Sequence, residues 1–597
     1  MTAWSPASAR IWALKYRLAD AAGQPLETDI EATWDRVAKA LAAPEREPAL
    51  WTRRFRAALA DFRFLPGGRI LAGAGTERDV TLCNCFVMGT IPDDMGGIFA
   101  HLREAALTLQ QGGGIGYDFS TLRPRGAPVR GLGADASGPV SFMAVWDAMC
   151  ATILSAGYRR GAMMGSLACD HPDIEAFIDA KRAPGALTNF NLSVLVSDAF
   201  VAAVRAAAPW PLRFGGRVHR TLPARALWEK LLRAAYDSAE PGVIFIDRIN
   251  ARNNLWYCET IATTNPCGEQ PLPPYGACVL GSVNLAALVR RPFAADAELD
   301  LDALAEVART GVRLLDNAIE VSRFPLPAQR EEAIAKRRIG LGITGLADAL
   351  VMCGLHYGTP AALAAVRRWL TALRRAAYLA STELAAEKGA FPLFDRERYL
   401  AGANVAGLEP EIRAAIARHG MRNGLVTSVA PTGTISLVAD NVSSGLEPIY
   451  ALRYARQVRL PDGMEGTEHL LDHAYRRFRD LHGPDAPLPA TFVTAAELSP
   501  EAHLQMQALV QEYTDAAVSK TINLPAEIDF AAFRALYDRA YDLGCKGCTL
   551  YRPTAVRGAV LGDGGGAVRR CTKCAAAARV HQEGCDLCTA CGDSRCL

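Results

Sequence analysis

Between Ala226 and Ala239 apolar residues recur at the spacing of an amphipathic helix, and Val243-Ile244-Phe245-Ile246 follows almost at once as a short buried strand. A helix feeding into a wholly apolar strand is the unit of a sheet covered by helices, so an α/β core is expected. Long helices expected at about 302–322 and 360–388 would pack outside that sheet. The 597 residues are enough to bury a large core, and 50% hydrophobic against 21% charged residues is an ordinary globular balance. A net charge of only +2 provides no field that favours nucleic acid or an anionic membrane, so anionic ligands need local sites. Met1 to Leu18 has no apolar run of the secretory kind, and Thr344 and Asp348 interrupt the longest apolar stretch, Gly340 to Leu355. The expectation is a soluble, cytoplasmic protein with neither a membrane nor a nucleic-acid partner.

Residues 1 to about 62 read as a helical lead-in whose role is packing: Thr28 or Asp29 can cap a helix in which Ile30, Trp34, Val37, Ala38 and Leu41 follow the 3.6 period. Leu82-Cys83-Asn84-Cys85-Phe86-Val87 reads as a strand. Its two thiols point alike and are poorly placed to bond each other, so a redox partner for either lies elsewhere. A helix from about Ile98 to Gln110 leads into Gln111-Gly112-Gly113-Gly114-Ile115-Gly116, which is expected to precede a strand at Tyr117-Asp118-Phe119. Such a run lets backbone approach a ligand closely, but it has no Gly-Lys-Ser/Thr and is no Walker loop. Arg123, Arg125 and Arg130, and then Gly157-Tyr158-Arg159-Arg160-Gly161, form two Gly/Arg loops suited to phosphate or simply to solvent.

At the middle of the chain lies Thr263-Thr264-Asn265-Pro266-Cys267-Gly268-Glu269. Pro266, Gly268 and the β-branched threonines argue for an extended segment, in which Asn265, Cys267 and Glu269 share one face. A strand Leu425–Val429 followed by Pro431-Thr432-Gly433-Thr434-Ile435 and a helix makes either a plain cap or an anion site.

Sixteen cysteines in a long chain without a signal point to metal or thiol redox work and not to a secreted disulfide framework. Six of them lie in the tail, 571–597, behind a Gly/Ala/Arg linker at 553–570 that spans roughly 23 Å as a flexible coil. Cys571-x-x-Cys574 and Cys585-x-x-Cys588-x-x-Cys591 have zinc-knuckle spacing, and with Cys596 two cysteines remain for a mobile dithiol.

Taken together, Asn84-Cys85-Phe86-Val87, Gly112 to Gly116, Asn265 to Glu269, Cys278-Val279-Leu280-Gly281 and Pro431 to Thr434, in this order, resemble the ribonucleotide reductases, most closely the adenosylcobalamin-dependent (class II) type. The resemblance implies a ten-stranded α/β barrel over 63–552 with Cys267 on a central finger loop as the thiyl-radical cysteine. It implies Glu269 as the base on the 3′-hydroxyl and Asn265 as the group that orients the sugar. Cys85 and Cys278 would be the dithiol that protonates the leaving 2′-hydroxyl and ends as a disulfide. Gly68, Asn84, Gly114, Pro266, Gly268 and the turn Pro431, Thr432, Gly433, Thr434, Ile435 would complete the substrate site. Asp93, Arg123 and Arg130 would hold a dNTP or ATP effector, and the loop with Gly157, Tyr158, Arg159 and Arg160 would relay it, across a homodimer interface. Zinc falls to Cys571, Cys574, Cys588 and Cys591 with Cys585 and Cys596 as shuttle, or else Cys591 and Cys596 form the shuttle and Cys585 enters the metal site. Thioredoxin or a similar dithiol would restore the tail. Cys83 and the extra pair Cys545 and Cys548 depart from the family's pattern and leave room for other redox thiols. The implied reaction is reduction of ribonucleoside diphosphates. Its alternatives are a large subunit served by a di-metal partner and, outside the family, a zinc-ribbon nucleic-acid-binding protein.

Overall fold

A computed structural model describes residues 4–129, 131, 133–153, 161–182, 185–459 and 465–553, the side chains of 455–459 and 465–469 aside, and the backbone of three short strands between 579 and 596. The lead-in is helical: α1 (Pro6–Lys15), α2 (Ile30–Ala42) and α3 (Pro48–Leu59). Asp29 caps α2 by accepting from the Ala32 N–H at 2.9 Å, and Ile30, Trp34, Val37, Ala38 and Leu41 are all buried, as the apolar period requires. α1 reaches further than its neighbours do. Trp4 Nε1 donates to the Val438 carbonyl at 2.8 Å and Ser8 Oγ to the Leu437 carbonyl at 2.6 Å, more than 400 residues along the chain.

The body follows as β1 (Phe64–Pro66), β2 (Cys85–Val87), α4 (Met95–Gln110), β3 (Gly114–Asp118), β4 (Met163–Ala168), β5 (Phe190–Val196), α5 (Ala224–Ser238) and β6 (Gly242–Phe245). Then come β7 (Thr263–Thr264), β8 (Pro271–Leu272), β9 (Ala277–Asn284), α6 (Leu301–Val321), β10 (Ile339–Thr344), α7 (Pro360–Lys388), α8 (Gly433–Val438), β11 (Thr521–Asn523) and β12 (Gly547–Tyr551). The long helices, α5 and β6 stand within two residues of their expected places. β3 starts at Gly114, inside the glycine run and not after it. A Cβ on Gly116 would sit 1.9 Å from the Thr264 carbonyl, so the glycine lets β3 lie against β7. Cys83 precedes β2 and does not share a strand with Cys85.

Ten strands form one sheet. β2 to β6 run parallel in sequence order, β12 and β11 extend one end, and β9 and β10 extend the other, with β1 beside β2 along β9. Every residue of β9 and β10 is buried, the mark of a sheet covered on both faces. The two ends meet. Leu341 of β10 bridges Thr427, and Val429 bridges Val518, three residues before β11. The expected strand at 425–429 is therefore a seam held by isolated bridges and not by a regular ladder. The reason is Asp515, 3% exposed, whose Oδ2 accepts from the Val426 and Thr427 N–H groups at 2.8 and 3.2 Å in place of a neighbouring strand. Its Oδ1 accepts from Tyr378 Oη at 2.5 Å and Asn404 Nδ2 at 3.0 Å. At Gly342 a Cβ would stand 2.4 Å from the Ser428 carbonyl, so the seam needs a residue without one. Among the described residues no helix is long and apolar enough to cross a membrane.

Replacing Asp515 with Ala leaves three buried donors, the Val426 and Thr427 N–H groups and Tyr378 Oη, without that acceptor. The expected loss of stability is about 3–5 kcal/mol, read as a lower urea midpoint for the main unfolding transition; an unchanged midpoint would contradict this role.

Candidate active site

β7 and β8 pair antiparallel, Thr263 opposite Leu272 and Thr264 opposite Pro271, so residues 265–270 form the loop of a hairpin. The expected extended run through Glu269 is thus not what forms. Gly268 takes φ +80° and donates to the Asn265 carbonyl at 3.1 Å, while Asn265 Oδ1 accepts from the Gln270 N–H at 3.0 Å and closes the loop from within. The convergence expected from alternation is reached by a turn. Asn265 and Glu269, each 2% exposed, face the same small cavity as Cys267 at the tip. Both seam segments clamp the loop, since the Glu269 carbonyl accepts from the Ala517 N–H at 3.0 Å and from Ser428 Oγ at 2.9 Å.

Cys85 and Cys278 stand directly opposite each other on the antiparallel pair β2 and β9. Opposed residues on such strands lie within the Cα separation that a disulfide spans. Cys85 Sγ lies 3.5 Å from Glu269 Oε1 and accepts from Asn265 Nδ2 at 3.1 Å. Burial, then the Glu269 carboxylate and the thiols of Cys278 and Cys267, push the Cys85 thiol well above its usual range. Burial does the same to Cys278, with Cys83 adding to it. Both therefore keep their protons at neutral pH. Cys83 is buried beside Ser322 Oγ, 3.9 Å away, and burial pushes its thiol up to about 12. Cys545 and Cys548 are buried too, Cys548 in the wall of a second cavity.

Two cavities meet at the loop. The smaller, about 170 Å³, is lined by Cys85, Asn265, Cys267 and Glu269 together with Gly68, Asn84, Gly114, Pro266 and the turn Pro431 to Ile435, so these expected substrate residues are gathered in one place. Gly268 is not among them and instead lines the larger cavity, about 240 Å³, on the other side. Cys267 and Pro266 belong to both, so the cysteine stands in a shared wall. Thr432, at φ +58°, turns its hydroxyl into the protein: Oγ1 accepts from the Gly445 N–H at 2.8 Å and lies 2.9 Å from the hydroxyls of Thr344 and Ser436. Its side chain fixes the turn that lines the cavity. Asn84 Oδ1 is buried at the cavity wall with no hydrogen-bond partner among the described residues.

Asp93 and Arg123 pair with each other, Nε to Oδ2 at 2.8 Å, and the Arg123 N–H also donates to Asp93 Oδ1 at 3.0 Å. Arg130, Gly157, Tyr158, Arg159 and Arg160 lie outside the described residues. So do Cys571, Cys574 and Cys591, and the tail side chains of Cys585, Cys588 and Cys596 are likewise outside them. The tail backbone forms a three-stranded sheet whose register sets Cys585 opposite Cys596. Among the described residues no group of His, Cys, Asp and Glu could hold a metal. The sequence reading missed Lys15 and Tyr16, which α1 delivers to the wall of the smaller cavity, and Ser282 of β9. The lead-in is thus more than packing. A Lys in the last turn of a helix resembles any dipole-complementing lysine and carries no local signal of a cavity.

The family model described as "Ribonucleotide reductase, barrel domain" matches residues 83–551, and that described as "Ribonucleotide reductase, all-alpha domain" matches residues 4–79. A "Vitamin B12-dependent ribonucleoside-diphosphate reductase" of Mycobacterium tuberculosis (strain CDC 1551 / Oshkosh) is 40% identical over 572 residues, covering 92% of this chain and 79% of the relative. One of the same description from Thermoplasma acidophilum is 34% identical, covering 88% and 68%. A "Ribonucleoside-diphosphate reductase subunit alpha" of Chlamydia pneumoniae is 26% identical, covering 88% and 57%. With both family models in sequence order across the thiols, loop and turn described above, the chain belongs to the ribonucleotide reductase family.

Proposed function

We infer that this chain reduces ribonucleoside diphosphates to their 2′-deoxy forms with vitamin B12 as its radical source. The observation that carries the reading is Cys267 in the wall between two cavities, one of which holds Cys85, Asn265 and Glu269. The relatives at 40% and 34% identity carry that activity in their descriptions, which favours it over a partner-dependent subunit and over nucleic-acid binding.

The larger cavity suits a corrinoid. Its wall combines the rings of Tyr450, Tyr454 and Tyr551 with Val442, Ile449 and Val518 and with the polar Asn441 and Ser444, and its Lys520 is paired with Glu447. Adenosylcobalamin, when bound, supplies the one-electron chemistry that leaves a thiyl radical on Cys267. Everything after that belongs to this chain's residues. The Cys267 sulfur takes the ribose 3′-hydrogen, and the Glu269 carboxylate takes the 3′-hydroxyl proton. Asn265 and the Asn84 carbonyl oxygen hold the sugar hydroxyls. Cys85 protonates the 2′-hydroxyl, which leaves as water. Cys85 and Cys278 together supply two electrons and two protons and are left joined as a disulfide, and Cys267 returns the hydrogen to C3′. Keeping both thiols protonated is what the acid step requires, and burial beside Glu269 achieves it.

A dithiol such as thioredoxin, working through the tail cysteines, would reduce the disulfide, and the tail spacing suits a structural zinc. A homodimer with a dNTP or ATP effector near Asp93 and Arg123 completes the reading. In such a site the pairing of these two side chains would orient the guanidinium toward phosphate.

Purified chain with adenosylcobalamin and a small dithiol is expected to form deoxyribonucleoside diphosphate with no second protein. A requirement for another subunit would defeat the reading. C267S is expected to bind the nucleotide normally and to form no product, and measurable deoxynucleotide from it would remove Cys267 from its role. In the nucleotide-free enzyme, alkylation of Cys85 and Cys278 is expected to show no rise as pH passes through 9, the ordinary range of a thiol, because their protons remain in place. A rise centred there, followed by peptide mapping, would show that burial does not hold them.

A further inference from the structure

The smaller cavity has to accept a nucleotide with a strongly anionic diphosphate, yet its described lining carries only two charged side chains, Glu269 and Lys15. Glu269 lies beside Cys85 at the sulfur end, where a phosphate would meet a like charge. The anion is therefore directed to the rest of the lining. There the turn Pro431 to Ile435 offers backbone N–H groups, and its one tightly held hydroxyl, on Thr432, is spent inside the protein. Neutral donors position a phosphate, but a counter-charge carries much of the affinity.

Lys15 is the last residue of α1, and α1 is bound to α8, the helix that the turn opens, by Ser8 Oγ and Trp4 Nε1. The next residue, Tyr16, is buried, and a Cβ on Gly68 would stand 3.0 Å from its hydroxyl, so the end of α1 is pressed against the cavity wall. Lys15 itself is half-buried and lines the same cavity as the turn. Resting on the function inferred above, we propose that Lys15 is the residue that binds the substrate's phosphates: its ammonium neutralises the diphosphate at the 431–435 turn and so fixes the ribose over Cys267 from the far end. The helical lead-in then supplies a substrate-binding cation and not only a packing surface. Lys15 touches no reacting atom, so its effect falls on binding.

The test is K15M beside K15R in the full chain, with steady-state kinetics on a ribonucleoside diphosphate and equilibrium binding of that diphosphate and of the uncharged nucleoside. For K15M the KM is expected to rise about tenfold to a hundredfold with kcat within about twofold of the parent. K15R is expected to recover most of the loss. Nucleoside binding is expected to be unchanged, and the salt dependence of diphosphate KM shallower in K15M than in the parent. A KM for K15M within twofold of the parent overturns the assignment, as does an equal loss for nucleoside and diphosphate, which would mark a structural role. An inactive parent enzyme under the same conditions would instead overturn the function on which the proposal rests, and diphosphate binding without turnover would still read Lys15.

Discussion

The carbonyl oxygen of Glu269 receives one hydrogen bond from each side of the barrel's seam, from Ser428 and from Ala517. That pair of bonds ties the position of the loop that carries Cys267 to closure of the sheet. The loop has no long strands to hold it, since β7 and β8 are two residues each. Its position comes from Asn265 closing it internally, from Asn191 Nδ2 donating to the Pro266 carbonyl at 2.8 Å, and from the seam. The buried Asp515 underlies the last of these by fixing the seam residues on which the loop rests. Displacing the seam would move Cys267 relative to Cys85 and to the cavity that both line.

Local patterns were readable where structure is local. Asp29 before Ile30, Trp34, Val37 and Leu41 announces α2 because a cap and a 3.6 period need nothing outside the helix. The same is true of α5 running into β6. Asn265, Cys267 and Glu269 were correctly grouped, although the backbone reaches that grouping through a turn closed by an Asn side chain, a choice alternation could not foresee. The seam was not legible. Its segments are about 90 residues apart, joined by single bridges, and Asp515 takes the N–H groups a regular strand would have used. The pairing of Cys85 with Cys278 required the resemblance, because Cys83 offers the same side chain two residues away and only the β2 and β9 register separates them. Lys15 was invisible for a similar reason, its place in the cavity being set by hydrogen bonds to residues 437 and 438.

Electrostatics divides the smaller cavity by chemistry. At one end sulfur atoms, a carboxylate and an amide crowd together, and burial holds the thiols in their protonated form. Toward the 431–435 turn, Lys15 is the one cationic side chain of the described lining. A nucleotide that reversed its orientation would set its phosphates against Glu269, so the field selects direction as well as affinity.

Cys85 borders the smaller cavity, while Cys278 lies behind it at 1% exposure. Under the proposed function the oxidised pair would be reached through the nucleotide's own doorway, and product and reductant would occupy that doorway by turns. Such sharing would impose a ping-pong rhythm: an excess of nucleotide would slow the enzyme's own recharging, and throughput would be set by how quickly the vacated chamber admits a slender dithiol-bearing chain.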